Sequence, residues 1–357
     1  MSLTTTEGCP GTGSRQRSAR RNPLLALLAA VALMFGLAAC TSDDSNDDAK
    51  GDSDFEKVTI EHALGTAEID SKPERVVTLG QGSAETAIAL GTVPVAMEEY
   101  EWGADDSGYL PWVKEAVEKE GAELPALLKG QDDLSAEEVL KYKPDLILAP
   151  WSGITEEQYK QLSEIAPTVA YEKEPWTITW EEQIDVVAEA LGEKDRAKDL
   201  KEDINKEFEK ASEPDYKDTT FSYIYNLQTP DQLGIFMSTE QRVEFVSKLG
   251  LTLDPVVNEF KDDVKVGTDS AEISQENLDK LDGSDLIFTF YTDDKVRKLM
   301  HEDRFYANIP AVKKGAEVAL TDQSLVTATS MINPLTVPWA VDRYKEKINE
   351  AIEKSKS

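Results

Sequence analysis

Short apolar runs alternate with longer mixed segments along most of this chain. Val76–Leu79, Leu146–Ala149 and Leu286–Phe290 are runs of four or five apolar or β-branched residues, each beside Gly, Pro or Asp. Runs of this kind between helical segments are typical of buried strands in a parallel sheet. The pattern therefore predicts an α/β protein in which strands and helices alternate.

The charged stretch Glu193–Ser212 divides this pattern in two. Its apolar positions recur at steps of three and four, at Ala197, Leu200, Ile204, Phe208 and Ala211. That spacing predicts one helix with a narrow buried stripe, roughly 30 Å long. Each side of it repeats a buried strand, a helix ending in Leu-Gly, and a Ser-x-Glu segment leading into Asp-Leu-Ile. We predict two Rossmann-like lobes with mostly parallel sheets, residues 57–192 and 213–357, joined by an interlobe helix at 193–212.

The first residues of the chain read as an export signal. Four arginines precede the apolar run Pro23–Ala39, which ends in the lipobox-like motif Leu37-Ala38-Ala39-Cys40. We predict a signal peptide at residues 1–39, lipidation of Cys40, and an acidic tether at residues 40–56. Several acyl chains on Cys40 would anchor the protein to the extracytoplasmic face of the cell membrane, with no other contact with the bilayer.

The net charge and the small number of His and Cys residues exclude several classes of function. The chain has 38 Lys and Arg against 69 Asp and Glu, a formal charge of −31, so nucleic acid is not an expected partner. Its two histidines, His62 and His301, are far apart, and Cys40 is the only cysteine outside the leader, so we expect no side-chain metal site and no cofactor. No nucleophile elbow or other catalytic pair is apparent, and we predict that the protein is not an enzyme.

The glycine-rich segment Gly80-Gln81-Gly82-Ser83 follows a predicted strand and begins a helix. It resembles a dinucleotide-binding fingerprint, but Glu85 occupies the sixth position, where a carboxylate would repel pyrophosphate. The two glycines instead favour a close approach of backbone to a ligand.

Aromatic and polar side chains follow the carboxyl ends of the predicted strands. In open α/β sheets ligands bind outside these ends, and pockets combine aromatic surface with a few polar groups. We therefore predict a ligand cleft between the lobes. Its expected side chains are Gln81, Tyr100, Trp102, Trp151, Trp176, Asn226, Phe236, Arg242 and Tyr291.

The chain resembles the lipoprotein solute-binding components of bacterial ABC importers for ferric siderophores and cobalamin. The resemblance spans roughly Val58 to Ile352. It is carried by Pro73-Glu74-Arg75-Val76-Val77-Thr78-Leu79, Ala87–Gly91, Lys143-Pro144-Asp145-Leu146-Ile147 and the long central helix. It implies the class III periplasmic-binding fold, with limited closure around the ligand.

The resemblance also implies roles for particular residues. One exposed Glu on each lobe docks onto the permease, and by motif these are Glu137 and Glu276. Both follow a predicted helix cap by two residues, where a carboxylate is favoured. Ligand positions carried over are Tyr100, Trp151, Asn226 and the loop ending at Met331. The chain departs from the family by a Pro before Trp151 and by an Asp-rich loop at residues 104–108.

The expected ligand is a ferric siderophore, which already fills the coordination sphere of its iron with oxygen atoms. Because arginines are few, a neutral or weakly charged hydroxamate-type ligand is favoured over a catecholate. The expected partners are an ABC permease and ATPase, with the protein a tethered monomer. Cobalamin or haem are the alternatives, and Tyr291 or His301 would serve as an axial haem ligand. A surface sensor or enzyme is a further alternative.

Overall fold

The fold is described over four stretches of the chain. The structure is a computed structural model, and it describes residues 55–130, 133–226, 233–264 and 268–357. The predicted signal peptide, Cys40 and the tether up to residue 54 lie outside the described residues. No helix in the described stretches is long and apolar enough to span a membrane.

The N-terminal lobe is built on a five-stranded sheet in which all neighbouring strands are parallel. In chain order its elements are β1 (Val58–His62), β2 (Gly65–Ile69), β3 (Val76–Thr78), α1 (Ser83–Ala89), β4 (Ala96–Glu98), α2 (Pro111–Glu120), β5 (Ala126–Leu128), α3 (Ala136–Lys141), β6 (Leu146–Leu148), α4 (Glu156–Ser163), β7 (Thr168–Val169) and α5 (Trp180–Ala190). The sheet order is β5-β4-β3-β6-β7, with β1 and β2 as a separate antiparallel hairpin. This confirms the predicted alternation of strands and helices.

The long helix is α6 (Lys194–Ala211), which begins and ends one residue inside the predicted span. Ala197, Ile204, Phe208 and Ala211 are buried, as the apolar stripe predicts. The preceding helix α5 begins with a capping box, in which Thr179 and Glu182 each bond to the backbone of the other.

The C-terminal lobe contains a six-stranded mixed sheet. Its elements are β8 (Thr220–Asn226), β9 (Leu233–Phe236), α7 (Gln241–Lys248), β10 (Thr252–Leu253), β11 (Ser270–Ile273), β12 (Leu286–Phe290), α8 (Asp294–Glu302), α9 (Pro310–Lys314), β13 (Glu317–Leu320), α10 (Gln323–Ala328) and α11 (Thr336–Ser355). Segments of 3-10 helix lie at Tyr216–Asp218, Pro255–Asp263, Gln275–Gly283 and Tyr306–Asn308.

Parallel pairing in this lobe covers β10, β8, β12 and β13, whereas β9 and β11 are antiparallel additions that the sequence pattern did not reveal. Only six residues separate β8 from β9. A parallel crossover needs a dozen or more residues, so a connection this short dictates antiparallel pairing.

The two lobes share a helical layer. α6 packs against α5 of the first lobe and against α11, the last helix of the chain. The Phe208 ring also meets Phe245 of α7 edge to face, with ring centroids 4.8 Å apart. Apolar burial on more than one side therefore holds the connecting helix in place.

Candidate functional site

A cavity of about 600 Å³ lies between the lobes and is lined by side chains from both. It contains six of the ten ligand residues expected from the sequence: Gln81, Tyr100, Trp151, Trp176, Phe236 and Arg242. The carboxyl ends of β3 and β6 lead directly into it on one side, and the end of β9 leads into it on the other. The cavity is within the size range of small-molecule sites.

On the first wall, the loops after β3 and β6 hold each other closely. The backbone N–H of Gln81 donates to the carbonyl oxygen of Trp151 at 3.0 Å. Gly80 has a φ of +71°, and a Cβ there would lie 2.2 Å from the same oxygen. Glycine is therefore required at this position. The contact places the Gln81 side chain where it donates to the Tyr100 hydroxyl at 3.0 Å.

Two indoles form the aromatic surface of this wall. Trp151 Nε1 donates to the carbonyl of Trp176 at 3.3 Å, and the N–H of Trp176 donates to the carbonyl of Ser152 at 3.3 Å. Trp176 has a φ of +63°, and its ring lies so close to Gly153 that a Cβ there would be 2.5 Å from Nε1. Trp176 is accessible to solvent, since 36% of the residue is exposed.

The opposite wall carries a guanidinium set among aromatic rings. The Arg242 guanidinium carbon lies 5.2 Å from the centroid of Phe236 and 5.6 Å from that of Phe290. Tyr225 stacks on the outer side of Phe236, with centroids 4.5 Å apart. Arg242 is paired with the carboxylate of Glu240. The Nε atom of Arg242 is buried and has no hydrogen-bond partner among the described residues.

A hydrogen bond beside the cleft joins the two lobes. Trp180 Nε1, at the start of α5, donates to Glu244 Oε1 of α7 at 2.9 Å. Lys248 lies over the same indole, 5.0 Å from its centroid, and 3.6 Å from the Glu244 carboxylate. The sequence pattern does not single out these residues or Glu240. The only sequence signal near them was the beginning of the helix α7, which lies one residue before the predicted site residue Arg242.

Trp102 and Asn226, two further predicted residues, do not line this cavity. Trp102 is 47% exposed and borders a separate depression of about 830 Å³ with Leu299. Its carbonyl accepts from Thr327 Oγ1 of the other lobe at 3.0 Å. Asn226 directs its amide to the carbonyl of Phe290 at 3.1 Å, and so supports the aromatic wall from behind.

Tyr291 and Met331 require correction, because both are buried away from the cavity. The segment expected to be a loop ending at Met331 contains helix α10. Ser330, the residue before Met331, lines the cavity in its place. Tyr291 donates its hydroxyl to Glu317 Oε1 at 2.7 Å. His301 Nε2 meets Glu317 Oε2 at 3.0 Å, so neither of the two axial candidates for haem faces the cleft.

The two predicted docking carboxylates are both exposed. Glu137 lies in the first turn of α3, whose cap Ser135 accepts from the N–H of Glu138. Glu276 lies in the first turn of the 3-10 segment Gln275–Gly283. No group of His, Cys, Asp or Glu within the described stretches is arranged to hold a metal ion.

The fold and this aromatic cleft define a two-lobed solute-binding protein whose lobes are joined by one long helix. The chain belongs to the periplasmic binding protein family, whose model matches residues 76–324. This confirms the resemblance stated from the sequence.

Proteins that are similar in sequence and proteins that are similar in structure both support this assignment. The chain is 26% identical over 311 residues to a probable siderophore-binding lipoprotein of Bacillus subtilis, YfiY, covering 82% of this chain and 88% of that protein. The crystal structure of Streptococcus pneumoniae PiaA in complex with ferrichrome matches with a TM-score of 0.75 and 30% identity, over 84% of this chain and 99% of the other. Staphylococcus aureus SirA complexed with staphyloferrin B matches with a TM-score of 0.64 and 26% identity, over 82% and 98%. The class III periplasmic-binding fold is thereby confirmed.

Proposed function

We propose that this protein captures a ferric siderophore of the hydroxamate type outside the cytoplasm and delivers it to an ABC importer. The observation that carries the proposal is the cleft itself, which is lined by two indoles of one lobe and by a phenyl ring and a charge-paired arginine of the other. Relatives support it, since one is named as a siderophore-binding lipoprotein and one was crystallised with ferrichrome.

The composition of the cleft suits a cargo that brings its own iron ligands. A siderophore surrounds Fe3+ with hard oxygen atoms, so the protein has to supply shape, aromatic surface and a few hydrogen bonds. Gln81, Tyr100 and Arg242 provide polar groups, and Trp151 and Trp176 provide flat apolar surface.

Haem and cobalamin are less well supported as ligands. A haem iron would need an axial side chain, and the candidates Tyr291 and His301 are both bonded to Glu317 outside the cleft. Cobalamin has no specific support from these contacts. We therefore retain the siderophore.

The remaining parts of the proposal concern anchoring and delivery. We propose that lipidated Cys40 holds a monomer on the extracytoplasmic face of the cell membrane, and that the acidic tether separates the lobes from the lipid. Glu137 and Glu276 are proposed to dock onto basic surfaces of the permease, which works with an ATPase subunit.

Ligand titrations monitored by tryptophan fluorescence test the proposed function. Ferrichrome should quench the emission of the purified protein saturably, because Trp151 and Trp176 line the cleft and ferric complexes absorb where indole emits. Ferric catecholate, haem and cobalamin serve as comparison ligands, and iron-free ferrichrome as the control. The absence of saturable quenching by any ferric siderophore would disprove the proposal.

A further inference from the structure

Glu240 stands at the junction of β9 and α7, directly on the cleft. It immediately precedes α7, where its carboxylate accepts the backbone N–H of Arg242 at 2.6 Å. The same carboxylate pairs with the Arg242 guanidinium. Its side chain is only 12% exposed, against 24% for Arg242. Glu240 is therefore a largely buried carboxylate that pairs with Arg242 on the same wall of the cleft.

No other anionic group on the cleft is bonded to this guanidinium among the described residues. Glu244 is held by Trp180 and Lys248. Asp269 accepts from Thr239 Oγ1 at 2.6 Å. Burial raises the pKa of the Tyr100 hydroxyl, so Tyr100 remains neutral. Within the part of the chain that the structure describes, Glu240 is therefore the one carboxylate that balances the Arg242 charge directly.

This balance matters because both groups are withdrawn from water. An unpaired charge at such a site would be costly in the empty cleft and would attract a ligand of opposite sign. With Glu240 in place, Arg242 keeps the accessible N–H donors of its guanidinium on the cleft but offers no net charge. A neutral ligand with exposed oxygen atoms is the complementary species.

We propose that Glu240 is a specificity-determining residue that cancels the charge of Arg242 and so makes the cleft select neutral over anionic ferric complexes. The inference rests on the proposed function and adds the charge class of its ligand. In a ferric trihydroxamate three hydroxamate anions balance Fe3+, so the complex is neutral. A ferric tris-catecholate retains a net charge of minus three and is expected to be rejected.

The test compares Glu240→Gln with Glu244→Gln by titration with ferrichrome and with ferric enterobactin, a tris-catecholate. The amide oxygen that Glu240→Gln introduces can still cap α7, so the fold should be retained. We expect Glu240→Gln to raise the affinity for the anionic complex relative to the neutral one by roughly tenfold or more. That gain should fall steeply with added salt. Glu244→Gln removes one carboxylate from the same cavity lining but leaves Arg242 paired with Glu240, and it should change the ratio far less.

A second pair of variants covers the case in which Glu240→Gln fails to fold. Arg242→Gln should reject the anionic complex more strongly than wild type, and the double variant should restore the wild-type ratio, since both charges are gone. An unchanged ratio in the folded single variant, or equal changes from Glu240→Gln and Glu244→Gln, would overturn the inference. Failure of the proposed function looks different, because wild type would then bind neither complex.

Discussion

At the scale of single residues, Glu317 shows how a buried charge is kept. Its side chain is 3% exposed and accepts hydrogen bonds from Tyr291, Tyr306 and His301. Burial alone would raise the pKa of Glu317, but the bonds from His301 and Tyr306 outweigh it and hold the pKa below its usual value. The charged form therefore stabilises the fold at neutral pH.

We expect Glu317→Gln to lower the free energy of unfolding by about 2–4 kcal/mol at pH 7, because the donors lose a charged acceptor. Since the folded pKa lies below the unfolded one, the stabilisation is full above the ordinary Glu pKa and disappears as pH falls through the folded value. Urea unfolding across this acidic range should show wild type and variant converging. Glu302→Gln, an exposed change on α8, is the control and should be nearly neutral. Equal stability of Glu317→Gln and wild type at pH 7 would refute the argument.

At the scale of elements, α6 depends on packing more than on its own propensity. Most of its surface is charged, and its buried stripe lies against α5, α7 and α11. We expect Phe208→Ala to cost about 3–5 kcal/mol, because it removes a fully packed ring beside Phe245. Glu209→Ala, the next residue on the exposed face, should cost less than about 0.5 kcal/mol. Chemical denaturation measures both, and similar losses would show that the stripe is not what holds the helix.

At the scale of the whole molecule, contacts on both sides of the cleft tie the lobes together. Trp180 bonds to Glu244 on one side, and on the other the carbonyl of Gly103 accepts from Ser324 Oγ at 2.7 Å. We propose that these contacts, together with α6, fix the separation of Glu137 and Glu276. A fixed separation is what simultaneous docking of two carboxylates on one permease requires.

The double variant Glu137→Ala with Glu276→Ala should therefore lose most siderophore uptake in cells while its affinity for ferrichrome remains unchanged. Radioactive iron uptake and fluorescence titration measure the two quantities. The matched control replaces Glu157 and Asp294 by Ala, since these are also exposed first-turn acids, one on each lobe. Equal loss in the control, or a loss of affinity in the test variant, would show that the docking residues are misassigned.

Tyr291 is misplaced in the sequence-based prediction because side chains alternate at the end of a strand. Phe290 lies against the Arg242 guanidinium, whereas Tyr291, the next residue, bonds to Glu317. Successive side chains at a strand end point to opposite sides, so a shift of one position moves a side chain from site to core. Proximity to a strand end was visible in the sequence, but the side was not. Glu240 was overlooked because it follows β9, an antiparallel strand with no clear signal of its own.

The alternating elements, the connecting helix and the family could all be read from the sequence, because these depend on local periodicity, capping and short motifs. Four side chains of the cleft, Gln81, Tyr100, Trp151 and Trp176, could be read in the same way, since the carboxyl ends of parallel strands converge. Phe236 ends and Arg242 follows an antiparallel strand, to which this reason does not apply. Which neighbouring side chains line the cleft, and the pairing of Glu240 with Arg242, emerged only from the three-dimensional fold. Those features depend on the pleat of each strand and on contacts between distant segments, and periodicity along the chain does not encode them.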